Sequence, residues 1–290
     1  TQSRRQRQMC IRDRLYVTFS PKDPADIQDA IQSVQNCIND IKAWMTANFL
    51  KLNSDTTEIV VITRKNLSEA IPHVQIGDST VEVSPSAKNL GVVFDSAMNM
   101  NKHVNSVCKK AFYEIRNIGR IRQYLDEKAA CSLVHAFVSS KLDYCNSLLY
   151  GLPDKLHQKL QRVLNCAARV VCGVGKYEHI TPTLVSLHWL PIPQRIEYKL
   201  LLITFKALHG MAPAYLGELL RWHQAPRQLR SNSLFMLTVP KTRLRSYGDR
   251  CFAKAAPSLW NALPLDLRQL SELDEFKRAL KTHLFKAAYG

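Results

Sequence analysis

The sequence predicts an α+β protein: one helix packed on a small, mostly antiparallel sheet, followed by a basic helical bundle and a mainly helical C-terminal region. Three observations carry that class. Ile27, Ile31, Val34, Ile38, Ile41 and Met45 recur at alternating four- and three-residue steps, the apolar stripe of an amphipathic helix. β-Branched runs and a Gly-led turn between residues 57 and 94 read as strands. From Asn101 onward, helical apolar stripes alternate with lysine and arginine.

The elements follow in order. Residues 1–14 have no period and read as a flexible basic arm. Leu15 to Phe19 alternates enough for a strand, which Pro21 breaks. Asp23 is placed as the N-cap and Pro24 as the first residue of the striped helix. After a connector, Thr57 to Thr63 reads as a buried strand. Val74-Gln75-Ile76 and Ser79 to Val83 read as a hairpin about Gly77-Asp78. Asn89 to Phe94 is expected as one more strand, with Gly91 marking a backbone that another strand or a nucleic acid approaches closely.

Val104, Val107, Ala111, Ile115 and Ile118 form the stripe of the next helix, crowded with Lys102, Lys109, Lys110, Arg116, Arg120 and Arg122. A second helix is expected from Glu127 towards Leu149, stopped by Gly151-Leu152-Pro153. A third, Asp154 to Val171, carries Lys155, Lys159, Arg162 and Arg169. Gly173-Val174-Gly175 reads as a boundary. Beyond it come a short helix from Thr181, an apolar helix from Gln194 to His209 closed by Gly210, and a short helix from Pro213 to Leu220. Phe235 to Val239 reads as a strand, Asp249 to Leu263 as helix interrupted at Pro257, and Ser271-Glu272-Leu273-Asp274 as a capping box opening a last helix.

Composition narrows the function class. With 290 residues and 46% hydrophobic content the chain is long and apolar enough to bury a core, which excludes a wholly disordered protein. Its 40 Lys and Arg against 24 Asp and Glu leave a net charge of +16. Such an excess favours a polyanionic partner held by phosphate contact and counterion release. Its eight cysteines have no paired rhythm and read as small buried hydrophobes of a reducing compartment. Cys166, Cys172, His179 and His188 come nearest to a metal set, but their spacing matches no zinc module. No apolar run approaches the roughly 20 residues that span a bilayer, so no membrane role is expected. A Gly-rich phosphate loop, Gly-x-Ser-x-Gly, His-Glu-x-x-His and an adjacent Asp pair are all missing from the sequence. The residues support nucleic-acid binding and offer no self-contained active site.

Several segments together resemble a known family. Trp44, Asn48, Leu50-Lys51-Leu52-Asn53 with Thr57-Glu58, and Lys88-Asn89-Leu90-Gly91-Val92 resemble the late palm of reverse transcriptases from LINE-type (non-LTR, jockey-like) retrotransposons. Lys141 to Pro153, His179-Ile180-Thr181-Pro182, Leu187 to Pro191, Phe205 to Gly210 and Ala256 to Asn261 resemble the regions that follow it, in the same order.

The resemblance implies a partial palm over 15–100, a helical thumb over 101–175 and a mainly helical C-terminal region over 176–290. It implies an RNA-directed DNA polymerase that binds an RNA template and a DNA primer, uses two Mg²⁺ ions and carries an endonuclease domain upstream in the full element. Its setting would be intracellular, in the nucleus and cytoplasm of a eukaryotic host. Leu90, Gly91 and Val92 would be the primer grip, and Asn53, Thr56, Thr57 and Glu58 a motif-D-like strand. Lys102, Lys109, Lys110, Arg116, Arg120, Arg122, Lys155, Lys159, Arg162 and Arg169 would hold phosphates of the template–primer duplex without reading sequence.

Two departures limit the carry-over. The family's metal-binding Tyr-Ala-Asp-Asp runs directly into Thr-Gln-Leu-Tyr, whereas here Thr1-Gln2 is separated from Leu15-Tyr16 by Ser3 to Arg14, an insertion or assembly artefact. The catalytic carboxylates are thus absent from the chain, and no catalytic residue or cofactor is expected within it. Thr56 also stands where the family has a lysine, a candidate proton donor. The competing expectation is a standalone basic nucleic-acid-binding module without enzymatic activity; a third is a zinc-stabilised C-terminal domain.

Overall fold

The Asp23 carboxylate accepts a 3.0 Å hydrogen bond from the Ala25 amide and opens helix α1, Pro24–Ala47, as the sequence predicts. This computed structural model describes residues 15–20, 22–50, 57–63, 73–76, 79–223, 235–244 and 247–290. The basic arm, Asn53 and Thr56 lie outside the described residues. The chain divides into two units, Thr1–Asn99 and Met100–Gly290.

In the first unit the predicted hairpin forms. Strand β1 (His73–Ile76) pairs antiparallel with β2 (Ser79–Glu82), register His73 to Glu82. Val74 is its buried centre, with Phe19, Ile27, Ile31, Ile38, Ile59 and Val81 packed around it. Side chains of α1, the hairpin and the segments around Phe19 and Ile59 thus make this small core.

Three strand expectations in this unit need correction. Residues 15–20 join no strand. The run from Thr57 to Thr63 forms no named strand: Ile59 makes an isolated parallel bridge to Val83, its carbonyl accepting from the Ser84 amide at 2.7 Å, and the Thr63 amide donates to the Ser96 carbonyl at 3.2 Å. Asn89 to Phe94 is not one strand but the tip of a second hairpin, β3 (Ser86–Asn89) with β4 (Val92–Asp95). Leu90 and Gly91 are its two-residue turn, at φ +45° and +87°. Positive φ at both central residues is the geometry that follows the twist of the flanking strands, and it accounts for the glycine.

The second unit is helical. Helix α2 (Asn101–Ile121) buries Val104, Ala111, Ile115 and Ile118, matching the expected stripe except for half-buried Val107. The second expected helix is segmented: α3 (Glu127–Val134), capped by Asp126, a π turn over His135–Ser139, α4 (Ser140–Asp143) and a 3₁₀ turn over Asn146–Leu149. Helix α5 (Asp154–Cys172) ends at Gly173, φ +67°.

Beyond Gly173 come α6 (Thr181–Ser186), α7 (Ile192–Leu208), α8 (Ala214–Gly217), α9 (Phe252–Ala262), α10 (Leu265–Arg268) and α11 (Leu273–Tyr289). They pack into the same unit as α2–α5, and the Arg195 guanidinium of α7 binds the Asp143 carboxylate at 2.7 Å. Their core centres on Phe205, Trp260 and Phe276, with the two phenyl rings stacked at 4.3 Å. Pro257 does not interrupt α9; it lies inside the helix and is buried. The expected capping box does not form, since Glu272 is the N-cap of α11 and makes no side-chain cap bond. The strand expected at Phe235 to Val239 reduces to one bridge, Trp222 to Leu237. The seven described cysteines are free thiols; six are half-buried and Cys251 is exposed, so the expected deep burial does not hold.

Candidate nucleic-acid interface

In α2 the buried residues leave one phase of the helix to solvent. At 100° per residue, Lys102, Lys109, Tyr113, Arg116 and Arg120 fall within a band of about 60°, opposite Val104, Ala111, Ile115 and Ile118. All five are exposed. The row extends about 27 Å along the helix at 1.5 Å per residue. Lys110 is exposed on its flank. Among the described residues Lys109, Arg116 and Arg120 have no acidic partner; the acid of this helix, Glu114, binds Lys141 at 3.2 Å.

Helix α5 supplies a second row. Lys155 and Arg162 are exposed, and between them the half-buried Lys159 donates a 2.9 Å hydrogen bond to the Asn105 amide oxygen of α2. Asn105 lies one turn from both Lys102 and Lys109; Lys159 lies one turn from both Lys155 and Arg162. This bond therefore joins the two rows into one cationic face. Burial pushes the Cys108 thiol up, and nearby Lys159 partly offsets it, as expected for a cation seated at this seam.

Two of the ten expected phosphate contacts are already committed to the fold. Arg122 donates to the carbonyls of Val170, Val171 and Leu125 at 2.7, 2.8 and 2.6 Å. It thereby caps the C-terminal end of α5, whose last carbonyls have no intrahelical donors. Arg169 donates to the carbonyls of Gly175 and Glu178 at 3.0 and 2.7 Å, holding the loop after α5. In this structure both guanidiniums hold the fold together through these carbonyls. Since Asn105 meets Lys159 near both helix starts and Arg122 meets Val170 near both ends, α2 and α5 run in the same direction.

Asn105 and Tyr113 also lie on this face and are not among the residues the sequence singles out. For Tyr113 the signal was available, because it shares the phase of Lys109 and Arg116. For Asn105 it was not, because Lys159 lies 54 residues away.

In the first unit, the β3–β4 hairpin gathers several residues of the motif-like segments. The Lys88 amide donates to a Glu58 carboxylate oxygen at 3.4 Å, and the Asn89 side-chain amide donates to the Tyr16 hydroxyl at 2.8 Å. Leu90 projects at the turn, 65% exposed, and Val92 is buried. Asp95 closes the hairpin by accepting the Ala97 and Asn99 amides at 3.2 and 3.0 Å. Thr57 lies on the same segment as Glu58, half-buried.

Among the described residues no three His, Cys, Asp or Glu side chains converge to hold a metal ion, so neither Mg²⁺ nor zinc is assigned a site. No helix among them is long and apolar enough to cross a membrane. No protein-family model, curated protein or solved structure matches the chain.

Proposed function

We propose that the chain is the template–primer-binding part of an RNA-directed DNA polymerase of the non-LTR retrotransposon kind. In this reading it comprises the end of the palm, the thumb and a helical C-terminal region. The observation that carries nucleic-acid binding is the joined cationic face of α2 and α5, where exposed lysines and arginines follow about 27 Å of helix. Such a face holds phosphates and releases counterions without reading base sequence. The polymerase assignment rests on the motif-like segments and their order. The hairpin that carries Leu90 and Gly91 supports it, as a projecting turn suited to bear on a primer backbone.

Phosphoryl transfer needs carboxylates that hold two metal ions, and the sequence has no adjacent Asp pair. The chain accordingly binds template–primer and does not extend it. The test is binding of an RNA template annealed to a labelled DNA primer, followed by addition of Mg²⁺ and dNTPs. Salt-sensitive binding without extension is expected. Incorporation by this chain alone, or no binding at low salt, overturns the reading. The standalone-module reading shares the cationic face. Genomic sequence upstream of Thr1 separates the two: a frame continuing into Tyr-Ala-Asp-Asp supports the polymerase, a start codon the module.

A further inference from the structure

We infer that Tyr113 is a base-stacking residue, and that the α2 row takes a strand with unpaired bases where the α5 row holds backbone alone. This rests on the nucleic-acid reading of the α2–α5 face and names the kind of strand that face receives.

Tyr113 is 64% exposed in the middle of the cation row, with Lys109 one turn before it and Arg116 one turn after. Its ring covers no core, because the buried side of α2 is the opposite one. Its hydroxyl has no hydrogen-bond partner among the described residues, so neither packing nor polar bonding accounts for a large aromatic side chain there. Phe112 beside it is also exposed, at 41%. Helix α5 has cations but no Phe, Tyr or Trp.

The spacing fits a strand lying along the row. Lys109 and Arg116 are seven residues apart, about 10.5 Å of helix. That length spans about three nucleotides of a stacked strand at 3.4 Å each. Cations at either end reach phosphates, and the ring between them meets the base of the intervening nucleotide. In a closed duplex the faces of that base are covered by its neighbours, and a ring on the helix surface finds only edges. An unpaired base offers its face, and stacking on an aromatic ring then adds affinity without sequence preference. Template–primer junctions supply such bases beside a duplex.

The test compares the full chain and its Tyr113→Ala variant by fluorescence anisotropy on two labelled ligands of equal length, oligouridine RNA and a blunt RNA–DNA duplex, at one salt concentration. Tyr113→Ala is expected to weaken single-strand binding about five-fold or more and to leave duplex binding within about two-fold. Tyr113→Trp and Tyr113→Phe are expected to retain single-strand binding, because stacking needs the ring and not the hydroxyl. Equal loss on both ligands, or loss on neither, overturns the inference. Lys109→Glu with Arg116→Glu is the control for the interface itself. If that pair weakens both ligands while Tyr113→Ala changes nothing, the interface stands and the stacking role falls. If the pair changes neither ligand, the interface reading falls with it.

Discussion

The Lys159 ammonium on α5 donates a 2.9 Å hydrogen bond to the Asn105 amide oxygen on α2. The bond places a cation between two helix faces that would otherwise carry separate rows. Asn105→Asp keeps the partnership as an exposed ion pair but puts a carboxylate into the seam. Stability is expected to change by less than about 1 kcal/mol, the range of exposed pairs. Nucleic-acid affinity is expected to fall, most at low salt. Thermal unfolding and anisotropy on the same preparation check both halves.

Lys109, Arg116, Lys155 and Arg162 are expected to contact phosphate together. Replacing all four by Ala should lower the magnitude of the log affinity versus log salt slope by about 3 to 4, near 0.9 for each duplex phosphate that is no longer neutralised. The weakening should be similar for unrelated sequences. Titrations between about 50 and 200 mM salt measure the slope, and an unchanged slope rules these residues out as phosphate ligands.

Arg122 behaves differently because its guanidinium is spent on carbonyls of Val170, Val171 and Leu125. Arg122→Ala leaves the end of α5 without its donor and is expected to cost about 2–3 kcal/mol, the range for removing a charged hydrogen-bond donor. Affinity measured well below the new unfolding midpoint should match the unaltered protein. A stable variant with weakened binding would instead make Arg122 a direct phosphate ligand.

His103 is buried in α2, and burial, followed by Lys110, holds its pKa below the ordinary 6.5. His135 is lowered in the same sense, by burial first and then by Arg195. A histidine with a depressed folded pKa binds fewer protons folded than unfolded, so stability is full above about pH 6.5 and falls as pH drops through that value. Denaturant unfolding of His103→Gln between about pH 7.5 and 5.5 should give a flatter profile than the unaltered chain.

Leu90 occupies φ +45° at the first position of its turn, a conformation that costs an L side chain and suits asparagine. Leu90→Asn is expected to raise the stability of the first unit by about 0.5–1 kcal/mol. Gly91→Val, forced to φ +87°, should lower it by about 1–2 kcal/mol or more. Hydrogen exchange at the β3–β4 amides reads both. Equal protection in all three chains would show that the turn does not control the hairpin.

Local chemistry made much of the fold legible in the sequence. Asp23 and Pro24 begin α1 where they should, Gly173 closes α5, and the period of Val104, Ala111, Ile115 and Ile118 sets which side of α2 is buried. Each depends on groups within a turn or two of one another. The cation rows were legible for the same reason, since the buried stripe dictates the exposed one.

Tertiary structure decided what depends on distant partners. The strand formed by Ser86 to Asn89, residues of weak β propensity, exists because β4 pairs with it, and that pairing turns Leu90-Gly91 into a tip. Pro257 stays helical because the rest of α9 is held against the Phe205–Phe276 core, which offsets one missing backbone bond. Arg122 and Lys159 look alike in sequence, as basic residues of basic helices. One became a clamp and the other stayed on the cationic face, because Arg122 meets carbonyls 48 and 49 residues away and Lys159 meets an exposed amide 54 residues away. Charge and period are properties of a segment; what a charged group ends up bonding is set by which segment packs beside it.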